Sequence, residues 1–264
     1  MNRVYMYLLI LLLVIPLPVA GYQYVMHRRA AFTGAPDYTA DANCIAAYYF
    51  NGASGTNETD RSANGYNLTI GSASISLGTD VPPGYAGNSR DFESTDSDYF
   101  ENTSLNIAGA DQEISGACWI KFETTNATQC LYGQYDLTGD QRSWRTIYSA
   151  THNYGFYVST NGTSPTVNHK ETIHFDPATW YHLAFTYDDV QSIIYTNSVA
   201  LSTNAHTDGF YDSTADFRVG STDSGVDYFD GLLDELIVFD RALSPAEISD
   251  IYNNGIDGTK GGND

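Results

Sequence analysis

The sequence predicts an all-β fold, a two-sheet antiparallel β-sandwich with one short C-terminal helix and an N-terminal hydrophobic leader. Three observations lead there. Short apolar or alternating runs recur along the body, separated by Gly, Asn, Asp and Ser clusters that favour turns. Aromatic residues make up 14% of the 264 residues, with 21 Tyr, while charged residues reach only 17%. A helical bundle would need more Leu, Glu and Lys than that. Only one stretch carries a full set of helix signals: Ser244 as N-cap, Pro245 at the first helical position, Glu247 closing a capping box, and Gly255 as the stop.

Taken in order, the chain opens on an almost wholly apolar run from Val4 to Val19, preceded by Arg3 and followed by the small residues Ala20 and Gly21. Residues 1–21 read either as a cleaved signal peptide or as a retained membrane anchor. Pro16 and Pro18 disfavour a straight spanning helix. Residues 22–42 read as a polar tether, 43–256 as the sandwich domain, and 257–264 as a Gly-rich flexible tail.

Within the body, Cys44 to Phe50 is a compact apolar strand. Asp98-Tyr99-Phe100 enters another strand. Ile114 to Phe122 is a third, in which alternation puts Ala117, Trp119 and Lys121 on one face. Gln129 to Tyr135 is its expected hairpin partner across a turn near Thr125-Asn126. Trp144 to Tyr148 and Tyr154 to Ser159 follow. Trp180 to Tyr187 is near-continuous and reads as a central strand, with Trp119, Trp180 and His182 expected in the core. Asn197-Ser198 is a two-residue hairpin turn between Ile193–Thr196 and Val199–Leu201. Phe217 to Gly220 precedes the last strand, which runs from Phe229 to Phe239.

Several of these landmarks resemble the laminin-G-like, concanavalin A-like lectin/glucanase jelly-roll family. They are the aromatic first strand with its Asn51-Gly52-Ala53-Ser54-Gly55 turn, the Asp60-Arg61-Ser62-Ala63-Asn64-Gly65 loop, the Trp180-Tyr181-His182 strand with its hairpin, and the closing Asp234-Glu235 strand with its capped helix. The resemblance runs from Cys44 to about Asn254 and implies a jelly-roll sandwich that acts mostly as a binding module. It also implies a structural calcium held by Asp60, Asn64 and Asp234. Asn51 departs from it, since relatives often carry an acid there. Asp60 alone also reads as an Asx-turn, and Asp223, Asp227 and Asp230 form a weaker acidic run.

The formal net charge is −20, with 12 Lys and Arg against 32 Asp and Glu. Such a body repels phosphate backbones, so nucleic acid is excluded as a partner. Cys44, Cys118 and Cys130 are too few for a disulfide scaffold, but the expected hairpin brings Cys118 and Cys130 opposite each other as a candidate bridge, which an exported chain permits. Five sequons, at Asn57, Asn67, Asn102, Asn126 and Asn161, are candidate glycosylation sites. No pair of acids is spaced for retaining glycoside hydrolysis, since neighbours such as Asp234 and Glu235 point to opposite faces of a strand.

Sugar sites combine aromatic faces with amide and carboxylate partners. Tyr135, Trp144, Tyr154 and Tyr211, placed on or near loops, are the ligand-binding candidates, with Trp144 foremost because Arg142 and Arg145 flank it. The reading is therefore a non-enzymatic adhesion or recognition module, secreted or at the cell surface, with a glycan or protein surface as partner. Any membrane contact would run through the leader. The alternative is a structural subunit that self-assembles through its N-terminal segment and sheet edges. A glycoside hydrolase is the third reading.

Overall fold

A computed structural model describes residues 34–260, apart from 73, 108–111 and 208. The leader and most of the expected tether lie outside these residues. In chain order the strands are β1 (Cys44–Tyr48), β2 (Thr69–Ile70), β3 (Ser76–Gly78), β4 (Ser89–Phe92), β5 (Phe100–Asn102), β6 (Ile114–Phe122), β7 (Gln129–Asp136), β8 (Gln141–Tyr148), β9 (Asn153–Gly162), β10 (Val167–Thr172), β11 (Trp180–Tyr187), β12 (Gln191–Thr196), β13 (Val199–Ala205), β14 (Phe217–Val219) and β15 (Gly231–Phe239). One helix, α1 (Pro245–Asn254), follows. Among the described residues, no helix is long and apolar enough to cross a membrane.

The first sheet runs β13-β12-β11-β6-β15-β4-β3, with β1 also paired to β15. The length of β15 explains this branch. Its first half pairs with β4 at Gly231–Leu233, and its second half pairs with β1 at Leu236–Phe239. The second sheet runs β10-β9-β8-β7-β14-β5-β2. All strand pairs are antiparallel, as an alternating sequence with short turns dictates.

Alternation places one face of each sheet in the core between them. Cys118, Ile120 and Phe122 of β6 meet Leu131, Tyr132, Trp144, Phe156 and Phe217 from the opposite sheet. Phe156 stacks on Phe185 across the layers at 4.1 Å between ring centroids. Burying each such ring contributes roughly 1.5–3 kcal/mol. A smaller cluster fills the outer side of the first sheet, where Ile248 and Ile251 of α1 press on Ala117, Ala184 and Ile237.

Local signals are realised as read. Ser244 Oγ accepts from Glu247 N at 3.3 Å and Glu247 Oε2 accepts from Ser244 N at 2.7 Å, which completes the capping box. Asn197 and Ser198 take φ of 48° and 65°, as a type I′ hairpin requires.

Other expectations are corrected. β6 and β7 belong to different sheets, so residues 123–128 form an arch rather than a hairpin. Cys118 and Cys130 are therefore separate buried free thiols, and Cys44 is buried and free as well. Burial pushes all three thiols up, those of Cys44 and Cys130 to about 12. The end of the expected tether is part of the domain. A short 3-10 turn at Tyr38–Ala40 buries Tyr38, whose N–H donates to Ile256 O at 2.9 Å and whose hydroxyl donates to Asp250 at 3.0 Å. The start of the expected tail is fastened too. Lys260 N donates to Asn254 O, and Lys260 O accepts from Ala86 N.

Candidate functional site

The strand register of the second sheet aligns one row of residues across all seven of its strands. Asn168 on β10 faces Tyr157 on β9, which faces Arg145 on β8, then Gly133 on β7, Arg218 on β14, Glu101 on β5 and Thr69 on β2. Directly paired residues share a face. Their sequence neighbours Val167, Phe156, Trp144, Phe217 and Phe100 are core residues. The row therefore lies on the face turned away from the core.

Two guanidinium groups dominate it. Arg145 lies over the Tyr135 ring at 4.5 Å and the Tyr157 ring at 5.8 Å, and its Nη1 meets Asp227 at 2.8 Å. Arg218 lies over Tyr99 at 4.1 Å and pairs with both Glu101 and Asp223 at 3.1 Å. Tyr228 sits against Tyr99 at 6.5 Å. Burial pushes the hydroxyls of Tyr135, Tyr157 and Tyr99 up while the nearby arginines pull them back, so all three remain phenols at neutral pH.

Gly133 lies between the two arginines, with the backbone of β8 packed directly against it. A Cβ there would lie 2.4 Å from Trp144 O and 2.6 Å from Arg145 Cα, so no larger residue fits without displacing backbone. The result is a position without a side chain, flanked on both sides by guanidinium N–H donors, carboxylate acceptors and the rings beneath them. These are the groups that recognise hydroxyl-rich rings.

The candidates read from sequence fall differently. Tyr135 joins the site, but beneath Arg145 and only 1% exposed. Trp144 is wholly buried, packed on Tyr132, Phe185 and Phe217, because in β8 it faces inward while Arg145 faces out. Tyr154 is also buried, with its hydroxyl donating to Ala184 O. Tyr211 is half-buried beside Gly162, away from the row.

The expected calcium ligands have other partners. Asp60 accepts from Ala47 N, Ser62 N, Ser62 Oγ and Tyr66 N at 2.7–3.0 Å, so both its oxygens are saturated. Asn64 Nδ2 donates to the carbonyls of Cys44 and Ile45. Asp234 is buried opposite Trp119 and accepts from Glu235 N. This donor set ties a loop to β1 and does not fit a cation. Acids gather elsewhere, at Asp91, Glu93 and Glu123, where ligand oxygens lie within 4.8 Å of one another. Burial raises all three carboxyls, followed by repulsion from neighbouring acids, Asp230 among them.

Of the sequons, Asn57, Asn67, Asn126 and Asn161 are exposed, and Asn102 is half-buried. Asn102 Nδ2 donates to Asn67 O, and Asn161 Oδ1 shapes its own turn by accepting from Thr163 N.

The profile described as the Concanavalin A-like lectin/glucanases superfamily matches residues 94–249, more than half of the chain. The chain belongs to this superfamily. No curated protein sequence matches it. Among solved structures it is similar to domain 4 of AbnA, a GH43 extracellular arabinanase from Geobacillus stearothermophilus, in complex with arabinotriose. That likeness has a TM-score of 0.59 and 19% identity, and covers 83% of this chain and 99% of the other. It is also similar to the binding domain of Paraclostridial Mosquitocidal Protein 1 (TM-score 0.61, 13% identity, 80% of this chain and 52% of the other). A third similar structure comes from work on cell entry of botulinum neurotoxin type C through two ganglioside molecules (TM-score 0.57, 13% identity, 80% and 51%). The chain thus spans about half the length of the toxin binding domains it matches. At these identities the likeness is one of fold.

In this concanavalin A-like chain, none of Arg145, Tyr157, Arg218, Glu101, Asp227 and Tyr99 is a ligand-binding candidate in the sequence reading, where Arg145 figures only as a flank of Trp144 and Asp227 only in the weaker acidic run. The basic stretch around Trp144 carried a usable signal. If an aromatic residue on a strand faces the core, its neighbour faces out, and the neighbour here is an arginine.

Proposed function

We propose that the protein is a non-catalytic, extracytoplasmic carbohydrate-binding module that takes a neutral glycan along the outer row of the second sheet. The observation that carries this reading is the seven-strand row, with Gly133 set between Arg145 and Arg218. The superfamily and the sugar-bound arabinanase domain of similar fold support it. Each guanidinium is already neutralised by Asp227 or by Glu101 and Asp223, which favours hydroxyl groups over a charged ligand. The same ion pairs engage the carboxylates that hydrolysis would require free, which supports a binding role.

A glycan array followed by calorimetry on the best hit tests the proposal. Wild-type protein is expected to bind, and Arg145→Ala and Gly133→Ala to weaken binding by about tenfold or more, equivalent to about 1.4 kcal/mol. Wild-type binding that both variants leave intact, or no bound glycan at all, would sink it.

A second reading, self-association through a sheet edge, rests on Val199, which is 64% exposed on β13, the edge strand of the first sheet. Light scattering of the purified chain and of Val199→Lys decides it, since strand addition predicts an oligomer that the lysine dissociates.

A further inference from the structure

The opposite side of the molecule carries a separate pocket. On the outer face of the first sheet, Trp119 on β6 pairs with His182 on β11, and Trp180 pairs with Lys121. α1 covers only part of this face. The uncovered part is a cavity of about 160 Å³ lined by Trp119, Trp180, Tyr252, Asn197, Asn253 and Lys260, with Pro83 at its edge. That space holds roughly five waters, or one small ring.

The lining is specific in character. Trp119 and Tyr252 stack at 5.4 Å and 26°, giving a flat aromatic wall. The Trp180 indole is fixed by its N–H, which donates to Asp80 Oδ1 at 3.0 Å, while Asp80 is also paired with Lys121. Asn197 Oδ1 accepts from His182 N, and its amide NH₂ meets no acceptor among the described residues. Lys260 has its ammonium 5.6 Å from the Tyr85 ring, and no ion pair holds it among the described residues. Lys260 lines the same cavity as Trp119 and Trp180. His182 is fully buried against both Trp119 and Tyr252, and neither ring nitrogen has a hydrogen-bond partner. Burial pulls it down to about 3, so it is a neutral imidazole with one unmatched donor and one unmatched acceptor.

We propose that this pocket is a second binding site, independent of the row on the other sheet, for a single sugar ring carrying a carboxylate. The ring stacks on Trp180 or on the Trp119–Tyr252 wall, and the carboxylate meets Lys260. A quaternary ammonium is disfavoured, because Lys260 places a positive charge in the wall while Asp80 is already neutralised by Lys121. A neutral ring keeps the stacking and forgoes the charge-assisted hydrogen bond.

Calorimetry of the full chain with glucuronate and glucose as probes tests this. Glucuronate is expected to bind saturably and about tenfold more tightly than glucose. Lys260→Gln is expected to level the two sugars, and Trp180→Ala to weaken both, whereas Arg145→Ala changes neither. Absence of saturable glucuronate binding overturns the proposal, as does a Lys260→Gln variant with unchanged preference. Loss of glucuronate binding in Arg145→Ala would move the sugar to the other face and overturn it too. If Trp180→Ala fails to fold, Lys260→Gln decides alone, because that side chain sits at the edge of the domain.

Discussion

Glu235 shows how one residue can break the pattern around it. Alternation on a strand would send Asp234 and Glu235 to opposite faces, but the register of β15 against β6 slips between Asp234 and Ile237, and Glu235 takes φ of 51°. Both acids end up buried, each 2% exposed. Glu235 Oε2 accepts from Ile256 N at 2.9 Å, tying β15 to the segment after α1. Burial pushes Glu235 up from 4.5 to about 8, and it pushes Asp234 up as well. The folded protein therefore holds a proton that the unfolded chain releases near pH 4.5. This contribution to stability is complete below about pH 4.5 and is lost as pH rises through about 8. Stability is expected to fall across that window by on the order of a few kcal/mol, read as a falling melting temperature, and Glu235→Gln to flatten the fall. A variant with the wild-type slope would show that the proton sits elsewhere.

The elements divide into those that local chemistry specifies and those that it does not. The capping box of α1 and the Asn197-Ser198 turn were legible because each needs only a few adjacent residues. Ser244→Ala is expected to cost about 1 kcal/mol, read as a lower denaturation midpoint with an unchanged slope. A midpoint equal to wild type would mean that Arg241, which bonds both Glu247 and Asp41, holds the helix start without the cap. The β6–β7 connection was misread because Thr125-Asn126 suits a hairpin and an inter-sheet arch equally well. What separates the two is the partner that each strand finds far away in sequence: β11 and β15 for β6, β8 and β14 for β7. The same limit hid the site. Arg145, Gly133 and Arg218 become neighbours only through the register of non-consecutive strands.

At the scale of the whole molecule, the sandwich is held by packing and hydrogen bonds, and none of its cysteines is bridged. None of the three thiols is expected to react with a thiol reagent in the native state, and all three should react in denaturant, with the native melt indifferent to reductant. A single reactive thiol in denaturant would reveal a disulfide instead. The fold class was readable because its cause is global and redundant: many alternating runs agree on two layers, so one misassigned connection does not alter the answer. Exposure of individual aromatics was not readable, as Trp144 shows, since a one-residue shift in facing exchanges core for surface. Tyr38 N–H donates to Ile256 O, and Gly258 lies close against Ala35. The domain is therefore entered and left at one corner. A unit whose doorway and exit adjoin can be spliced into a loop of a host protein, or threaded in series like a bead, without forcing its neighbours apart.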